Sequence, residues 1–374
     1  MTETILKADH ISVEYAGRRP VRAVRDVSLE LRRGEVLGLA GESGCGKSTL
    51  AYALARLLRP PARLTAGTVT FDGLDVGGLT AAELRRFRWR RMSMVFQGAM
   101  NSLNPVTTIG SQFGDIFAAH APEMDAAGRR ERTRELLVKV GIDPERARSF
   151  PHELSGGMRQ RAGIAMALAL DPEVVIMDEP TTALDVVVQR EVLDEIERLR
   201  EELGFSAIFI THDLSLLLEV SDRLAVMYAG QLVEYAPAAA IAGAPAHPYT
   251  RALVSSFPDM RGDRGELHGI PGNPPDMRDD PAGCPFAPRC RAAFEPCLTV
   301  PPVLRERPGR GAESAWASGR GAESAWASGR GAESAWASGR GGGLVACHLH
   351  DPAYTPTPEA TSEVTTEATT EVTS

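Results

Sequence analysis

The stretch Gly41-Glu42-Ser43-Gly44-Cys45-Gly46-Lys47-Ser48-Thr49 gathers small residues around one cation. Among 41 basic residues only Lys7, Lys47 and Lys139 are lysines, so arginine is the default here and Lys47 departs from it. Gly41 to Ser48 match the spacing of a phosphate-binding loop. Glycines there let backbone N–H groups converge on a β-phosphate, and the following helix start adds positive potential. Lys47 is then a compact charge for the β- and γ-phosphates where a planar guanidinium would not fit. The Ser48 hydroxyl is placed as a Mg²⁺ ligand. Cys45 reads as a small residue in a tight turn rather than a redox group.

A second cluster lies in "EVVIMDEP", residues 173–180. An apolar strand ending in Asp178-Glu179 delivers one carboxylate to hold Mg²⁺ and one to polarise an attacking water. Alone, an acidic pair at a strand end is a modest signal; paired with the loop at Gly41 it is strong. A third cluster, Leu154-Ser155-Gly156-Gly157-Met158, precedes the apolar helix "AGIAMALAL" and offers another helix start suited to an anion. One nucleotide in one subunit does not need two such sites.

These residues require positioning elements. "VRDVSLEL" (24–31) alternates as a half-buried strand, and "EVLGLA" (35–40) is a short apolar run ending at the glycine loop. "KSTLAYALARLLR" has its leucines on one helical face, giving strand, turn and helix around Lys47. "VVIM" (174–177) and "AIFI" (207–210) are continuous apolar strands, the pattern of a parallel sheet buried on both faces. Before them, residues 98–160 turn helical, as in "RERTRELLVKVG", which ends at Gly141. Past about residue 236 periodicity fades into Pro, Gly and Arg. The decapeptide GAESAWASGR repeats unchanged at 311–320, 321–330 and 331–340, too small-sided to bury a face. It reads as a tandem duplication in a flexible loop, with an arm presenting Trp316, Trp326 and Trp336 as the alternative.

The 374 residues suffice for a large and a small domain, and 43% hydrophobic with 24% charged residues is ordinary for a globular chain. A net charge of −8 argues against wrapping by nucleic acid. No apolar run approaches the roughly 18 residues of a membrane span, and the first residues lack a secretory pattern, so a cytoplasmic protein with reduced cysteines is expected.

With these motifs in order, residues 5–255 resemble the ATP-binding cassette ATPases. The resemblance implies an α/β P-loop fold with a mostly parallel core sheet, an antiparallel N-terminal β subdomain and an inserted helical subdomain at about 98–165. It implies ATP and Mg²⁺ as bound species and ATP hydrolysis as the reaction. Tyr15 corresponds to the aromatic stacked on adenine, and Gln97 to the glutamine that senses Mg²⁺ and the membrane partner. Asp185 corresponds to the loop crossing a dimer interface, and His212 to the histidine on the γ-phosphate. Leu154–Met158 would touch nucleotide held by a second cassette. Met158 stands where many cassettes have glutamine; a thioether is a poor hydrogen-bond partner, and the D-type subunits of peptide importers often share it.

"HPYTRALVSSFP" (247–258), "IPGNPPD" (270–276), "CPFAPRCRAAFEPC" (284–297) and "QGAMNSLNP" (97–105) resemble that D-type subunit of dipeptide and oligopeptide importers. The expected organisation is a cassette over 5–255 and a small loop-rich extension over 236–304 plus 344–350. A flexible linker covers 305–343 and a disordered tail 351–374. Expected partners are a homologous F-type ATPase subunit or a second copy, two membrane-spanning permeases and an extracytoplasmic substrate-binding protein, with no nucleic acid. The expected place is the cytoplasmic face of the cell membrane. Cys284, Cys290, Cys297 and Cys347 suit zinc or an iron–sulfur cluster; without tight C-x-x-C pairs, and as some importers of this family carry one, a [4Fe–4S] cluster is preferred, with unligated thiols as the bland alternative. Rival functions are a soluble cassette ATPase on DNA or ribosomes, a non-hydrolysing regulator, or a relative importing nickel, an opine or a glycoside.

Overall fold

The computed structural model describes residues 3–98, 102–182, 184–256, 269–307 and 343–354. Two long strands open the chain, β1 (Thr4–Tyr15) and β2 (Val21–Arg32), in which Val27, Leu29 and Leu31 point inward between polar neighbours. Strand β3 (Val36–Ala40) is buried at all five positions and runs into the glycine loop and helix α1 (Lys47–Leu54). The expected helix "KSTLAYALARLLR" stops early: Arg56 sits at φ +52°, left-handed backbone that cannot continue a helix, so Leu57 and Leu58 lie beyond it.

Strands β4 (Ala62–Phe71) and β5 (Leu74–Asp75) follow, then α2 (Ala81–Phe87) and β6 (Met92–Val95). Helices α3 (Ile109–His120), α4 (Ala126–Lys139) and α5 (Gly156–Ala167) form the helical segment, and α4 ends just before Gly141 as its periodicity predicts. The apolar runs 174–177 and 207–210 are strands β7 (Val174–Asp178) and β8 (Ser206–Ile210), separated by α6 (Val186–Leu203). Helix α7 (Leu214–Val220) leads to β9 (Arg223–Tyr228) and β10 (Gln231–Pro237), followed by α8 (Ala238–Gly243) and α9 (Pro248–Ser255). The C-terminal part adds α10 (Glu295–Thr299), β11 (Arg305–Glu306) and β12 (Leu344–Val345).

Strands β2, β1, β4 and β5 form one sheet in that order, all pairs antiparallel. The second sheet runs β11-β12-β10-β9-β3-β8-β7-β6. Its central strands β9, β3, β8, β7 and β6 are parallel, and β10, β12 and β11 continue it antiparallel. One core, with Leu6, Val13, Leu29, Leu37, Leu39 and Leu50, fills the space between the sheets and α1. The other, with Phe113, Phe117, Met177, Phe209 and Tyr249, lies on the opposite face under the helices. A sheet buried on both faces explains why its strands are continuously apolar rather than alternating.

The sequence boundary at 305–343 cuts through the large sheet, because β11 and β12 pair with each other and β12 pairs with β10. Residues 351–354 are also placed: Asp351 is buried against Arg305 at 2.9 Å and Pro352–Tyr354 forms a 3₁₀ turn. The three decapeptides and the rest of the Thr/Glu tail lie outside the described residues. Among the described residues no helix is long and apolar enough to cross a membrane.

Candidate nucleotide site at the strand ends

Four adjacent parallel strands bring the candidate residues together. The glycine loop leaves β3, His212 follows β8, Asp178-Glu179 end β7, and Gln97 follows β6. All four therefore stand at carboxyl ends of neighbouring strands, where open α/β sheets bind ligands.

The loop's glycines are required by space. Gly41 lies at φ +144°, where a Cβ would come 2.3 Å from the Met227 carbonyl oxygen. At Gly46, φ +107°, a Cβ would meet the Ala23 carbonyl oxygen at 2.1 Å. No L side chain fits either place. Lys47 folds back over the loop, its Nζ donating to the carbonyls of Gly41 at 2.7 Å and Glu42 at 3.0 Å. Cys45 is buried beside it, and burial pushes its thiol pKa up, which supports the small-residue reading.

Ser48 Oγ donates to Asp178 Oδ1 at 2.9 Å and the Tyr52 hydroxyl also faces this carboxylate, while the buried Asp178 Oδ2 has no well-aligned hydrogen bond among the described residues. A hydroxyl beside such a carboxylate oxygen fits a Mg²⁺ ion bound with nucleotide. Burial, reinforced by the neighbouring Glu179 charge, raises the Asp178 pKa against the opposing Ser48 hydrogen bond. A cation would remove that penalty.

Glu179 turns sharply out of β7 with φ +48°, a left-handed conformation costing a non-glycine residue about 1–3 kcal/mol. The strain is held by its N–H donating to the Ile210 carbonyl at 2.8 Å. Its Oε2 then accepts from Gln97 Nε2 and from Thr182 Oγ1, both at 2.8 Å, and lies 3.9 Å from His212 Nδ1. Gln97, Glu179 and His212 thus form one polar constellation beside the loop. Tyr15 is half-buried, with its hydroxyl 3.0 Å from Thr49 Oγ1.

The signature residues stand apart from this group. Ser155 caps α5, its exposed side chain accepting from Met158 N at 3.2 Å, and Leu154 is buried. Asp185 caps α6 by accepting from Val188 N at 3.0 Å. A Cβ on Gly157 would come 2.8 Å from Val188 Cγ1, so α5 and α6 begin side by side. Among the described residues, no hydrogen bond or ion pair links Leu154–Met158 or Asp185 to residues 41–49. Met158 packs against the core, so the position that lacks an amide serves packing.

Sequence reasoning missed three partners. Thr182 fixes Glu179 from the following turn. Tyr249 was legible only as part of "HPYT"; its hydroxyl accepts from Glu42 N at 2.8 Å. Arg289 forks onto Glu42, 2.7 and 3.0 Å from its two carboxylate oxygens, and a pair 247 positions apart leaves no local signal.

The four C-terminal cysteines are neighbours, with Cys284 N donating to Cys297 O at 2.8 Å. Burial pushes Cys284 up to about 11, and burial raises Cys347 with the other three thiols adding to the effect. Among the described residues, however, no group of three or more Cys, His, Asp or Glu is arranged to hold a metal ion. The expected [4Fe–4S] cluster is therefore unsupported: the four thiols form no closed ligand set among the described residues.

Comparison with known proteins decides the family. The ABC transporter family model matches residues 24–182, and that of the oligopeptide/dipeptide transporter C-terminal region matches 233–297. A probable peptide ABC transporter ATP-binding protein of Sinorhizobium fredii is 43% identical over 322 residues, 84% of this chain and 96% of that protein. The chain belongs to the ABC transporter ATP-binding proteins of the oligopeptide/dipeptide type. This ABC ATPase is also 43% identical to the oligopeptide transport ATP-binding protein of Salmonella typhimurium, over 78% of this chain and 87% of that one. The dipeptide transport ATP-binding protein of Bacillus subtilis is 41% identical over 84% and 95%. Among solved structures, a dimeric ATP-binding cassette in a post-hydrolysis state with ADP and Pi superposes with a TM-score of 0.55 at 27% identity, covering 63% of this chain and 99% of that one. The α/β P-loop fold expected from the sequence is the fold found.

Proposed function

We propose that this ABC ATPase couples ATP binding and hydrolysis to uptake of dipeptides or oligopeptides through two membrane-spanning permeases. A substrate-binding protein outside the membrane delivers the cargo, and the chain works at the cytoplasmic face. The observation that carries this reading is the match to peptide-transport ATP-binding proteins along both the cassette and its C-terminal region.

In this reading the loop Gly41–Thr49 cradles the triphosphate, with Lys47 leaving its carbonyl partners for the β- and γ-phosphates. Tyr15 faces the adenine. Ser48 and Asp178, with Gln97, would hold Mg²⁺, which supplies charge neutralisation when bound. Glu179 polarises water, oriented by Gln97 and Thr182, and His212 supports the γ-phosphate. Leu154–Met158 and Asp185 serve the nucleotide of a partner cassette. The lack of hydrogen bonds from them to residues 41–49 among the described residues, and Val186 and Val187 exposed at 82% and 70% beside Asp185, support an interface with a second cassette. We take that partner to be a homologous F-type subunit. The four thiols keep a [4Fe–4S] cluster as the finer expectation, and no step runs through it.

Glu179→Gln in place of the wild type should retain nucleotide binding and lower turnover by about 100-fold or more, abolishing peptide uptake. Normal hydrolysis in that variant removes Glu179 from its role. Intact peptide uptake in cells lacking the chain, with nickel uptake lost, moves the cargo.

A further inference from the structure

We propose that Arg289, from the C-terminal extension, is a positioning residue for the nucleotide loop: it neutralises and holds Glu42 so that a triphosphate can enter beside it. The proposal rests on the reading of Gly41–Ser48 as the triphosphate cradle and adds the residue that sets its charge.

Glu42 is the only acidic residue of the loop. Its backbone carbonyl accepts from Lys47 Nζ at 3.0 Å, so Glu42 brings its negative charge into the same short loop as the ammonium that must meet the phosphates. An uncompensated anion there repels ATP and competes for Lys47. Arg289 answers both effects. Its two terminal nitrogens reach the two Glu42 oxygens at 2.7 and 3.0 Å, the forked geometry that a lysine cannot reproduce. The Arg289 side chain is only 5% exposed and Glu42 24%, so water screens the pair poorly.

The guanidinium is itself fixed from behind. Its Nε donates to the Pro271 carbonyl at 2.7 Å, one terminal nitrogen reaches the Tyr228 hydroxyl at 3.2 Å, and the group lies over the Tyr228 ring at 5.8 Å. Tyr249 takes the Glu42 N–H at 2.8 Å. Glu42 is thereby held at its N–H, carbonyl and carboxylate, and two of the three holds come from beyond residue 247. An extension that only decorated the surface would not bury an arginine against the nucleotide loop.

The test compares Arg289→Gln, Glu42→Gln, the double variant and Arg289→Lys in the full-length protein. The readouts are equilibrium binding of a fluorescent ATP analogue, KM and kcat for ATP in the assembled transporter, and thermal unfolding. Arg289→Gln should weaken nucleotide binding about tenfold with kcat changed less than about twofold, and Glu42→Gln added to it should restore binding to within about threefold of wild type. Arg289→Lys, which keeps the charge without the fork, should lose about threefold and serves if the glutamine variant does not fold. Wild-type affinity in both Arg289 variants overturns the proposal. So does a double variant as weak as Arg289→Gln, the result of a purely structural anchor. A wild-type chain that binds no nucleotide, or binds it equally with Lys47→Ala, would instead overturn the reading of the loop.

Discussion

At the scale of single residues, the site works by placing side chains where they are individually unfavourable. Glu179 adopts a left-handed backbone, and Asp178 keeps a buried oxygen with no well-aligned hydrogen bond among the described residues. Both costs are consistent with groups held ready for a cation and a water. At the four C-terminal cysteines, burial raises the pKa of each thiol. The cluster reading predicts that anaerobically purified protein carries iron and acid-labile sulfide, with visible absorbance lost on Cys347→Ser. Colourless protein with four titratable thiols overturns it. Most candidate residues were legible because Gly, Lys, Asp and Glu stand at fixed spacings along the chain. Arg289 was not, since nothing local to residue 289 records a carboxylate at residue 42.

Elements matter for how the extension is tied on. His247 caps α9 through Nδ1, which accepts from Tyr249 N at 3.0 Å and must therefore be unprotonated. Burial, with nearby His350 adding to it, pushes His247 down to about 3. A pKa depressed from its ordinary value of about 6.5 gives stability that is present above that value and lost as pH falls toward the folded one. Between about pH 6.5 and pH 5 the loss is on the order of 2 kcal/mol. Thermal unfolding of the wild type should therefore worsen with acid more steeply than that of His247→Asn, whose amide oxygen still caps the helix. Equal slopes would show that His247 is not the group responsible. Strands β3, β7 and β8 were readable as apolar runs, but the end of α1 was not. Its terminator is Arg56 in left-handed backbone, a place where the sequence shows no glycine.

For the whole molecule, the sheet rather than the chain order defines the unit. Composition alone suggested a cassette followed by a loose appendage, because short strands such as β11 and β12 carry too few residues to show a period. Their pairing adds the last two strands to the same sheet that carries the loop and the Asp178-Glu179 pair. Between them, Arg307 N donates to Gly343 O at 2.8 Å, so the intervening segment leaves and returns at one point. Removing residues 311–340 should leave nucleotide turnover within about twofold and raise stability by about 1.5 kcal/mol or less, the closure entropy of the shortened loop. A large loss of turnover would mean that the decapeptides do more than span.

Because β11 and β12 pair and Arg307 bonds Gly343 across the gap, the two ends of the repeat segment meet whatever number of decapeptides lies between them. A copying error that adds or drops a unit of thirty nucleotides keeps the reading frame and leaves both sides of this junction, Arg307 and Gly343, in the sequence. The same junction is a natural port for grafting a reporter or affinity handle.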